Sequence, residues 1–392
     1  MVTASVPRVD LPASRDAPVV VAALRTPIGT AGGALASVTA PELAAPVLAG
    51  LVKDPALAGA GRVREVVLGN CTGPGGDVAR VASLEAGLPV EVPGLTVDRQ
   101  CGSGLAAVDV AAALLRTHPG VVLAGGVESA STAPWRSWPG DPPRRYERAP
   151  FAPAAHGDPD MGLAADLLAE RAGIDRQRQD AYAARSHRLA CAHREAGTFD
   201  AELVSVHGLR RDQRPRAGLS EARLSRLRPA FRAAEDGGTV TAGSSCGVND
   251  GAAALALVDG ATHRRLDVPG LRVLATATAG VDPKLPGLGL VPAVRQALEG
   301  AALTLDRVDV VELNEAFAGQ VLACCDALRL DPQRVCVEGG ALALGHPWGA
   351  SGAVLLVRLF SQMVRAGAGR YGLAAVSVGG GQGVAMVVER CR

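Results

Sequence analysis

The sequence predicts an α/β fold in which one strand–helix–strand unit is used twice. With 392 residues, the chain is long enough for two or three domains and for sizeable hydrophobic cores. Hydrophobic residues make up 48% of the chain and charged residues 20%, a balance that excludes disordered and fibrous proteins. Aromatic residues are only 3%, and a chain rich in Ala, Val and Gly is typical of an α/β enzyme with closely packed helices and sheets.

In the first third of the chain, β-branched runs alternate with stretches of helical pattern. The predicted strands are 19–23, 63–70 and 120–126, and the predicted helices are 40–51 and 103–115. The first strand ends at a Pro-containing turn and the third closes on glycines, as buried strands do. This order predicts a parallel sheet with helices on both faces.

The last third repeats the same order. Its predicted strands are 271–277, 306–314 and 373–380, with helices at 288–301 and from 349 onward. The spacing from Asn70 to Ser103 is close to the spacing from Asn314 to Ser351. We interpret this as an internal duplication whose halves pack face to face. The alternative is a chance similarity between strands rich in Ala and Val.

The middle of the chain, residues 127–245, has no counterpart in the last third. Trp135–Pro159 is rich in Pro, Gly and Arg and is predicted to be a long loop. Asp175 is a plausible N-cap for a helix that runs to Ala196, with Gly197 after its end. Residues 207–228 are dense in arginine and are predicted to be solvated. We expect this inserted layer to act as a lid.

Charge and cysteine content exclude several classes of protein. Lys and Arg number 40 against 39 Asp and Glu, which argues against a nucleic-acid binder. The eight cysteines form no CxxC pair and no Cys/His zinc spacing, so we predict no metal site. No apolar run is long enough to cross a membrane, and residues 1–17 lack the apolar region of a signal peptide. We expect a soluble, cytoplasmic protein with reduced thiols, whose residues 1–17 form a flexible extension.

Two residues in equivalent parts of the halves suggest nucleophilic chemistry. Cys101 stands at the start of the helix at 103–115, where free N–H groups and the helix dipole stabilise a thiolate. An inert buried cysteine is the alternative. His346 lies near the matching position of the second half, in a Gly-His-Pro-Trp-Gly turn. Symmetric pairing of the halves would bring the two together as nucleophile and base.

An ordered set of motifs resembles the thiolases. The motifs are Arg25-Thr-Pro, Arg99-Gln-Cys-Gly-Ser-Gly104, Ala124-Gly-Gly-Val-Glu-Ser129, Gly238-Thr-Val-Thr-Ala-Gly243, Asn249-Asp-Gly251, Asn314-Glu-Ala-Phe-Ala318, Gly339-Gly340, Gly345-His-Pro347 and Gly379-Gly-Gly381. The resemblance covers about residues 18–390 and implies a duplicated five-layer α/β/α/β/α thiolase fold with an inserted loop domain. The implied parts are an N-terminal half at 18–119 and 246–265, a loop domain at 120–245 and a C-terminal half at 266–392.

The resemblance also implies roles for individual residues. Cys101 resembles the nucleophile that accepts an acyl group, and His346 resembles the base that activates it and then helps an oxyanion hole. Asn314 resembles the residue that holds a water in that hole. The N–H groups of Cys101 and Gly379 would form a second hole. The residues expected to contact coenzyme A or the acyl group are Arg216, Ser245, Cys246 and Trp348.

Each of these contact residues has a plainer alternative. Arg216 could be an ordinary solvated arginine, and Trp348 could merely pack rather than shape the acyl pocket. No tightly bound cofactor is implied, because coenzyme A thioester is the substrate. The resemblance further implies a homodimer or homotetramer.

Departures from the thiolase pattern concern the second half of the reaction. Thiolases usually have a second cysteine that moves the α-proton, where this chain has Ser377. A serine hydroxyl is a much weaker acid, so we do not expect it to act unaided as the base. Cys246 stands where a hydroxyl normally meets the pantetheine arm, and the alternative is that it supplies the missing thiol. Asp98 and Asp160 replace a family Asn and His.

The leading hypothesis is therefore an acyltransferase that forms an acyl-Cys101 intermediate from acyl-CoA or acyl-carrier-protein thioesters. The expected reaction is Claisen-type formation or cleavage of a carbon–carbon bond at a 3-oxoacyl thioester, in specialised biosynthesis rather than bulk degradation. Because of Ser377, the alternatives are decarboxylative condensation and transfer to a non-carbon nucleophile. A non-catalytic thiolase-like scaffold subunit is the alternative from a different class.

Overall fold

The computed structural model describes residues 16–146 and 148–392, so nearly all of the predicted extension at 1–17 lies outside the described residues. The strands are β1 Val19–Arg25, β2 Gly29–Thr30, β3 Val63–Gly69, β4 Gly94–Val97, β5 Val121–Ser129, β6 Arg136–Trp138, β7 Arg144–Tyr146, β8 Asn249–Val258, β9 Gly270–Gly280, β10 Val310–Leu313, β11 Tyr371–Val378 and β12 Gln382–Cys391.

The helices alternate with these strands. They are α1 Ala40–Val52, α2 Val78–Glu85, α3 Ser103–Thr117, α4 Met161–Arg171, α5 Arg176–Glu195, α6 Glu221–Leu224, α7 Gly260–Leu266, α8 Leu290–Gly300, α9 Ala318–Leu328, α10 Ala341–Leu344 and α11 Trp348–Phe360. Short 3₁₀ turns include Pro286–Leu288, and a π-helical turn at Ser361–Arg365 follows α11. No helix among the described residues combines the length and apolarity needed to span a membrane.

The strand order repeats within one continuous sheet, as the duplication predicts. In the N-terminal half, β3 runs parallel to β5, which is antiparallel to β8, which is antiparallel to β1. In the C-terminal half, β10 is parallel to β11, which is antiparallel to β12, which is antiparallel to β9. The halves join where Val19 and Val20 of β1 pair with Arg272 and Leu271 of β9.

Five layers of helices and strands pack around three hydrophobic cores, one central and two outer. The central core contains α3 and α11 together with inward-facing residues of both halves of the sheet. The outer cores hold α1 and α2 against the N-terminal half, and α8 and α9 against the C-terminal half. Gly104 lets α3 approach α11 closely, because a Cβ there would lie 2.8 Å from the backbone nitrogen of Ala353. The layers are therefore α/β/α/β/α, as the resemblance implies.

The inserted region is more structured than the sequence predicts. The loop at 135–159 contains the hairpin of β6 and β7, and α5 follows its Asp175 N-cap as expected. The predicted loop domain at 120–245 begins with β5, which pairs with β3 and β8 inside the sheet. The predicted domain boundaries remain proposals.

A buried ion-pair network attaches this region to the core. Arg25 Nε donates to Glu202 at 2.7 Å, and Arg25 Nη1 donates to Asp212 at 2.7 Å. Arg358 of α11 pairs with the same Glu202. Asp212 is buried, so the prediction that residues 207–228 are solvated is wrong at this position. The fully buried guanidinium groups of Arg25 and Arg358 are stabilised by these buried carboxylates, which composition alone does not indicate.

Candidate active site

A pocket of about 130 Å³ lies between the two halves and the inserted region. It gathers six of the predicted site residues, namely Cys101, Cys246, His346, Trp348, Ser377 and Gly379. The rest of the wall is mostly apolar and includes Met161, Ala164, Phe317 and Val378. Its combination of an apolar wall and a few converging polar groups is typical of a small-molecule site.

Cys101 is presented by a tight turn at the start of α3. Ser103 Oγ accepts from the Arg99 N–H at 2.7 Å and donates to the Gln100 carbonyl at 2.6 Å. Burial raises the pKa of the Cys101 thiol to about 12, and negative charge on Cys246 acts in the same direction. The N–H groups of Cys101 and Gly379 oppose this rise. The expectation of a stabilised thiolate at rest is therefore not met, because burial outweighs the helix N-terminus.

His346 lies in the turn between α10 and α11. Its backbone N–H donates to Asn249 Oδ1 at 2.9 Å, and its Nδ1 lies 2.6 Å from Ser351 Oγ. Its Nε2 lies 3.4 Å from Nδ2 of Asn314, which places Asn314 beside the pocket. Burial lowers the pKa of His346 to about 4. We assign the neutral tautomer with the proton on Nδ1, because the single lone pair of Nε2 then faces Asn314 at rest and can take a proton when that long contact is given up.

The Ser377 hydroxyl is hydrogen-bonded within the protein. Its Oγ donates to the Gly287 carbonyl at 2.7 Å. It accepts from the Leu290 N–H at 3.1 Å, and Gln320 Nε2 lies 3.5 Å away. Because its one proton is donated to Gly287 and the Leu290 N–H occupies one lone pair, the hydroxyl holds the 3₁₀ turn against β11.

Cys246 is held against the segment that carries Asn314. Its N–H donates to the Ala316 carbonyl at 2.9 Å, and the Ala318 N–H donates to the Ser244 carbonyl at 2.9 Å. Burial raises the pKa of the Cys246 thiol to about 12, whereas the charge of Arg214 acts to lower it. The Cys246 thiol thus lies in the pocket wall, near the positive charge of Arg214.

Two family models match nearly all of the chain. The thiolase N-terminal domain matches residues 18–261, and the thiolase C-terminal domain matches residues 269–390. The chain belongs to the thiolase family. It is an acyltransferase of that family, and the resemblance seen in the sequence is confirmed.

Similar proteins extend over the full length of this thiolase. Acetyl-CoA acetyltransferase of Pseudomonas aeruginosa is 42% identical, covering 95% of this chain and 99% of that protein. Putative acetyl-CoA C-acetyltransferase YhfS of Bacillus subtilis is 41% identical, covering 95% and 98%. The crystal structure of the Bacillus anthracis acetyl-CoA acetyltransferase matches with a TM-score of 0.88 at 38% identity, covering 96% and 99%.

Two predicted contact residues of this thiolase lie outside the pocket. Arg216 is exposed and lines a separate surface depression with Arg185 and Arg188. Ser245 is buried, and its Oγ donates to the Thr241 carbonyl at 2.7 Å. Among the described residues, no group of three or more His, Cys, Asp and Glu side chains is placed to hold a metal ion.

Several residues at the pocket were not predicted from the sequence. Gly287 and Gln320 line the pocket, and Phe151 covers it from the loop, since a Cβ on Gly379 would lie 2.6 Å from Phe151 Cδ2. No local sequence pattern marks Gly287 or Phe151, because their positions depend on long-range packing. Gln320 lies only a few residues after the Asn314 motif, and that proximity was the available signal.

The raised thiol pKa makes a testable prediction for this thiolase. Alkylation of Cys101 by iodoacetamide should accelerate steadily as the pH rises from 6 to 10, because the thiolate fraction grows about tenfold per pH unit below a pKa near 12. Peptide mass spectrometry would follow Cys101 separately from the other cysteines. A rate that levels off below pH 8 would instead indicate a resting thiolate–imidazolium pair and contradict this electrostatic picture.

Proposed function

We propose that this thiolase takes an acyl group from a coenzyme A thioester onto Cys101 and passes it to the α-carbon of a second thioester. The reverse reaction cleaves a 3-oxoacyl thioester. The observation that carries the proposal is the meeting of the Cys101 thiol, the Gly379 N–H and the His346 imidazole in one pocket. The names of the full-length relatives support acetyl-CoA as the first donor to examine.

Acyl transfer begins with a neutral thiol and a neutral imidazole. His346 Nε2 takes the proton of Cys101 as the sulfur attacks the thioester carbonyl. The N–H groups of Cys101 and Gly379, which already point at the sulfur, donate hydrogen bonds to the developing oxyanion. One such donor typically lowers the activation free energy by about 3 kcal/mol. Collapse of the intermediate expels coenzyme A and leaves acyl-Cys101.

The second oxyanion site is formed by His346 and Asn314. Their side-chain nitrogens lie 3.4 Å apart, and we propose that Asn314 orients the imidazole and a water toward the carbonyl of the second thioester. Trp348 and Cys246 line the pocket and are kept as contacts to the acyl and pantetheine groups. We keep Arg216, which is exposed at a separate depression, as a contact to the part of coenzyme A far from the thioester, whereas the Ser245 hydroxyl is bonded to the Thr241 carbonyl. The homodimer or homotetramer stays a prediction.

One observation favours a variant of this chemistry. The Ser377 hydroxyl donates its proton to Gly287 and accepts from Leu290, and a hydroxyl is too weak an acid to serve unaided as the base for the α-proton. Loss of CO₂ from a malonyl-type thioester would form the carbanion without a base. Transfer to an oxygen, nitrogen or sulfur nucleophile would need no carbanion, and either reaction suits specialised biosynthesis.

Intact-protein mass spectrometry tests the proposal. The protein is incubated with acetyl-CoA, longer acyl-CoA, malonyl-CoA and 3-oxoacyl-CoA, and peptide mapping locates any adduct. We expect one acyl group per chain on Cys101, and the donors that load define the acyl class. Release of CO₂ with a condensed product from malonyl-CoA would favour the decarboxylative variant. No adduct from any donor would refute the acyl-enzyme proposal.

A further inference from the structure

The pocket contains three side chains able to exchange a proton, and two already have roles. Of the lining residues, Cys101, His346 and Cys246 are titratable, while the Ser377 hydroxyl is a much weaker acid that donates its proton to the Gly287 carbonyl. Once Cys101 carries an acyl group, its sulfur cannot act as a base. Carbon–carbon bond formation still requires that the α-proton of the second thioester be removed.

Cys246 has an environment suited to a transient negative charge. The half-buried Arg214 guanidinium donates to the Ser245 carbonyl at 2.8 Å and to the Leu342 carbonyl at 3.1 Å. Among the described residues it forms no ion pair with a carboxylate, and a charge on Cys246 acts to raise the Arg214 pKa. Because the half-buried Arg214 guanidinium has no carboxylate partner, its charge is available to stabilise a thiolate that forms on Cys246.

The charge states of the two thiols are linked. Negative charge on Cys246 raises the pKa of Cys101, so both thiolates together are disfavoured. Acylation of Cys101 removes that competition, because a thioester carries no charge. The buried Glu315 carboxyl also opposes a Cys246 thiolate, but burial raises the pKa of Glu315 and thereby favours its neutral form.

Cys324, which lies beside Ser377, is poorly placed for this task. Cys324 donates to the same Gly287 carbonyl as Ser377, at 3.2 Å, and accepts from Gln320 Nε2 at 3.4 Å. It is fully buried behind Ser377 and does not line the pocket. Cys324 is therefore a matched control: a thiol beside the position of the missing base that has no access to substrate.

We propose that Cys246 Sγ is the base that removes the α-proton of the second thioester and returns it in the cleavage direction. This inference rests on the acyl-Cys101 reaction proposed above. It assigns the proton-transfer role to the segment before β8, which carries Cys246, rather than to β11, which carries Ser377.

The protons balance over one turnover. His346 holds the Cys101 proton as imidazolium, while the departing coenzyme A sulfur takes the proton of Cys246. The Cys246 thiolate then takes the α-proton, and the new carbanion attacks the acyl carbonyl and expels Cys101 as a thiolate. Return of the imidazolium proton to Cys101 restores two neutral thiols and a neutral imidazole.

Deuterium exchange separates this step from acyl loading. The protein is incubated with acetyl-CoA in D₂O, and mass spectrometry follows both deuterium in the acetyl methyl group and acetyl-Cys101. In Cys246→Ala and Cys246→Ser we expect exchange to fall at least about 100-fold, the usual effect of losing a general base. Acetyl-Cys101 should still form, because imidazolium can protonate the departing sulfur instead.

Two further variants make the test specific. Adding Ser377→Cys to Cys246→Ala should restore exchange, because a thiol returns to the pocket wall. Cys324→Ala should exchange like wild type. Undiminished exchange in both Cys246 variants, or an equal loss in Cys324→Ala, would overturn the assignment. Wild-type loading without exchange would overturn it too while leaving acyl transfer intact, whereas failure to load Cys101 would refute the proposed function itself.

Discussion

Cys101→Ala is expected to transfer acyl groups at least about 10⁴-fold more slowly than wild type, because the covalent intermediate cannot form. The turn that presents the sulfur is held by Ser103 Oγ and backbone groups rather than by the thiol, so the fold should persist. Initial rates with acetyl-CoA and circular dichroism on the same samples would measure both properties.

Cys391→Ala provides the control for this variant. Its thiol is half-buried at the end of β12 and lies outside the pocket, so its removal should leave the rate unchanged. Substantial turnover by Cys101→Ala would mean that acyl groups pass directly between thioesters, and the ping-pong scheme would have to be abandoned.

His346→Ala is expected to acylate Cys101 about 10²- to 10⁴-fold more slowly at neutral pH, the range typical for a lost general base. In wild type, burial holds the His346 pKa at about 4, so the base remains neutral and the loading rate should stay nearly constant from pH 7 to pH 5. In the variant, the thiolate must form without help. Its rate should therefore climb about tenfold per pH unit toward the high thiol pKa.

Rapid-quench mass spectrometry of acetyl-Cys101 across this pH range would distinguish the two profiles. His193→Ala is the matched control, since burial also lowers the pKa of His193 but its ring lies outside the pocket. A wild-type loading rate that drops between pH 7 and pH 6 would contradict a base with so low a pKa.

Much of the architecture follows from sequence because strand order is encoded locally. The β-branched runs that became β1, β3, β9 and β11 are continuous in the chain, and their repetition predicts two similar halves. That repetition also predicts that Cys101 and His346 approach each other, and the pocket contains both. When two similar halves pack face to face, residues at equivalent positions can be expected to approach each other even when no side-chain contact is known.

Contacts between segments that are distant in the chain leave no local pattern in the sequence, so they could not be predicted. Nothing near Ser377 indicates that its hydroxyl binds Gly287, about ninety residues earlier in the chain. Likewise, Arg214 lies in an arginine-rich stretch that looks uniformly solvated, yet its guanidinium reaches Ser245 and Leu342. Burial of a charged group depends on which surfaces meet, and only the folded chain shows this. Both of the missed features concern proton transfer.

The division of the pocket between the halves links inactivation to unfolding. Cys101 precedes α3 in the N-terminal half, whereas His346 and Gly379 belong to the C-terminal half. The halves meet at the residue pairs between β1 and β9 and across the central core, where Gly104 allows α3 to approach α11. If the packing between the halves weakens, Cys101 and His346 move apart while each half keeps its own strands. On heating, the thiolase should therefore lose turnover before it loses secondary structure, so retained helicity is a poor measure of how much working enzyme a preparation contains.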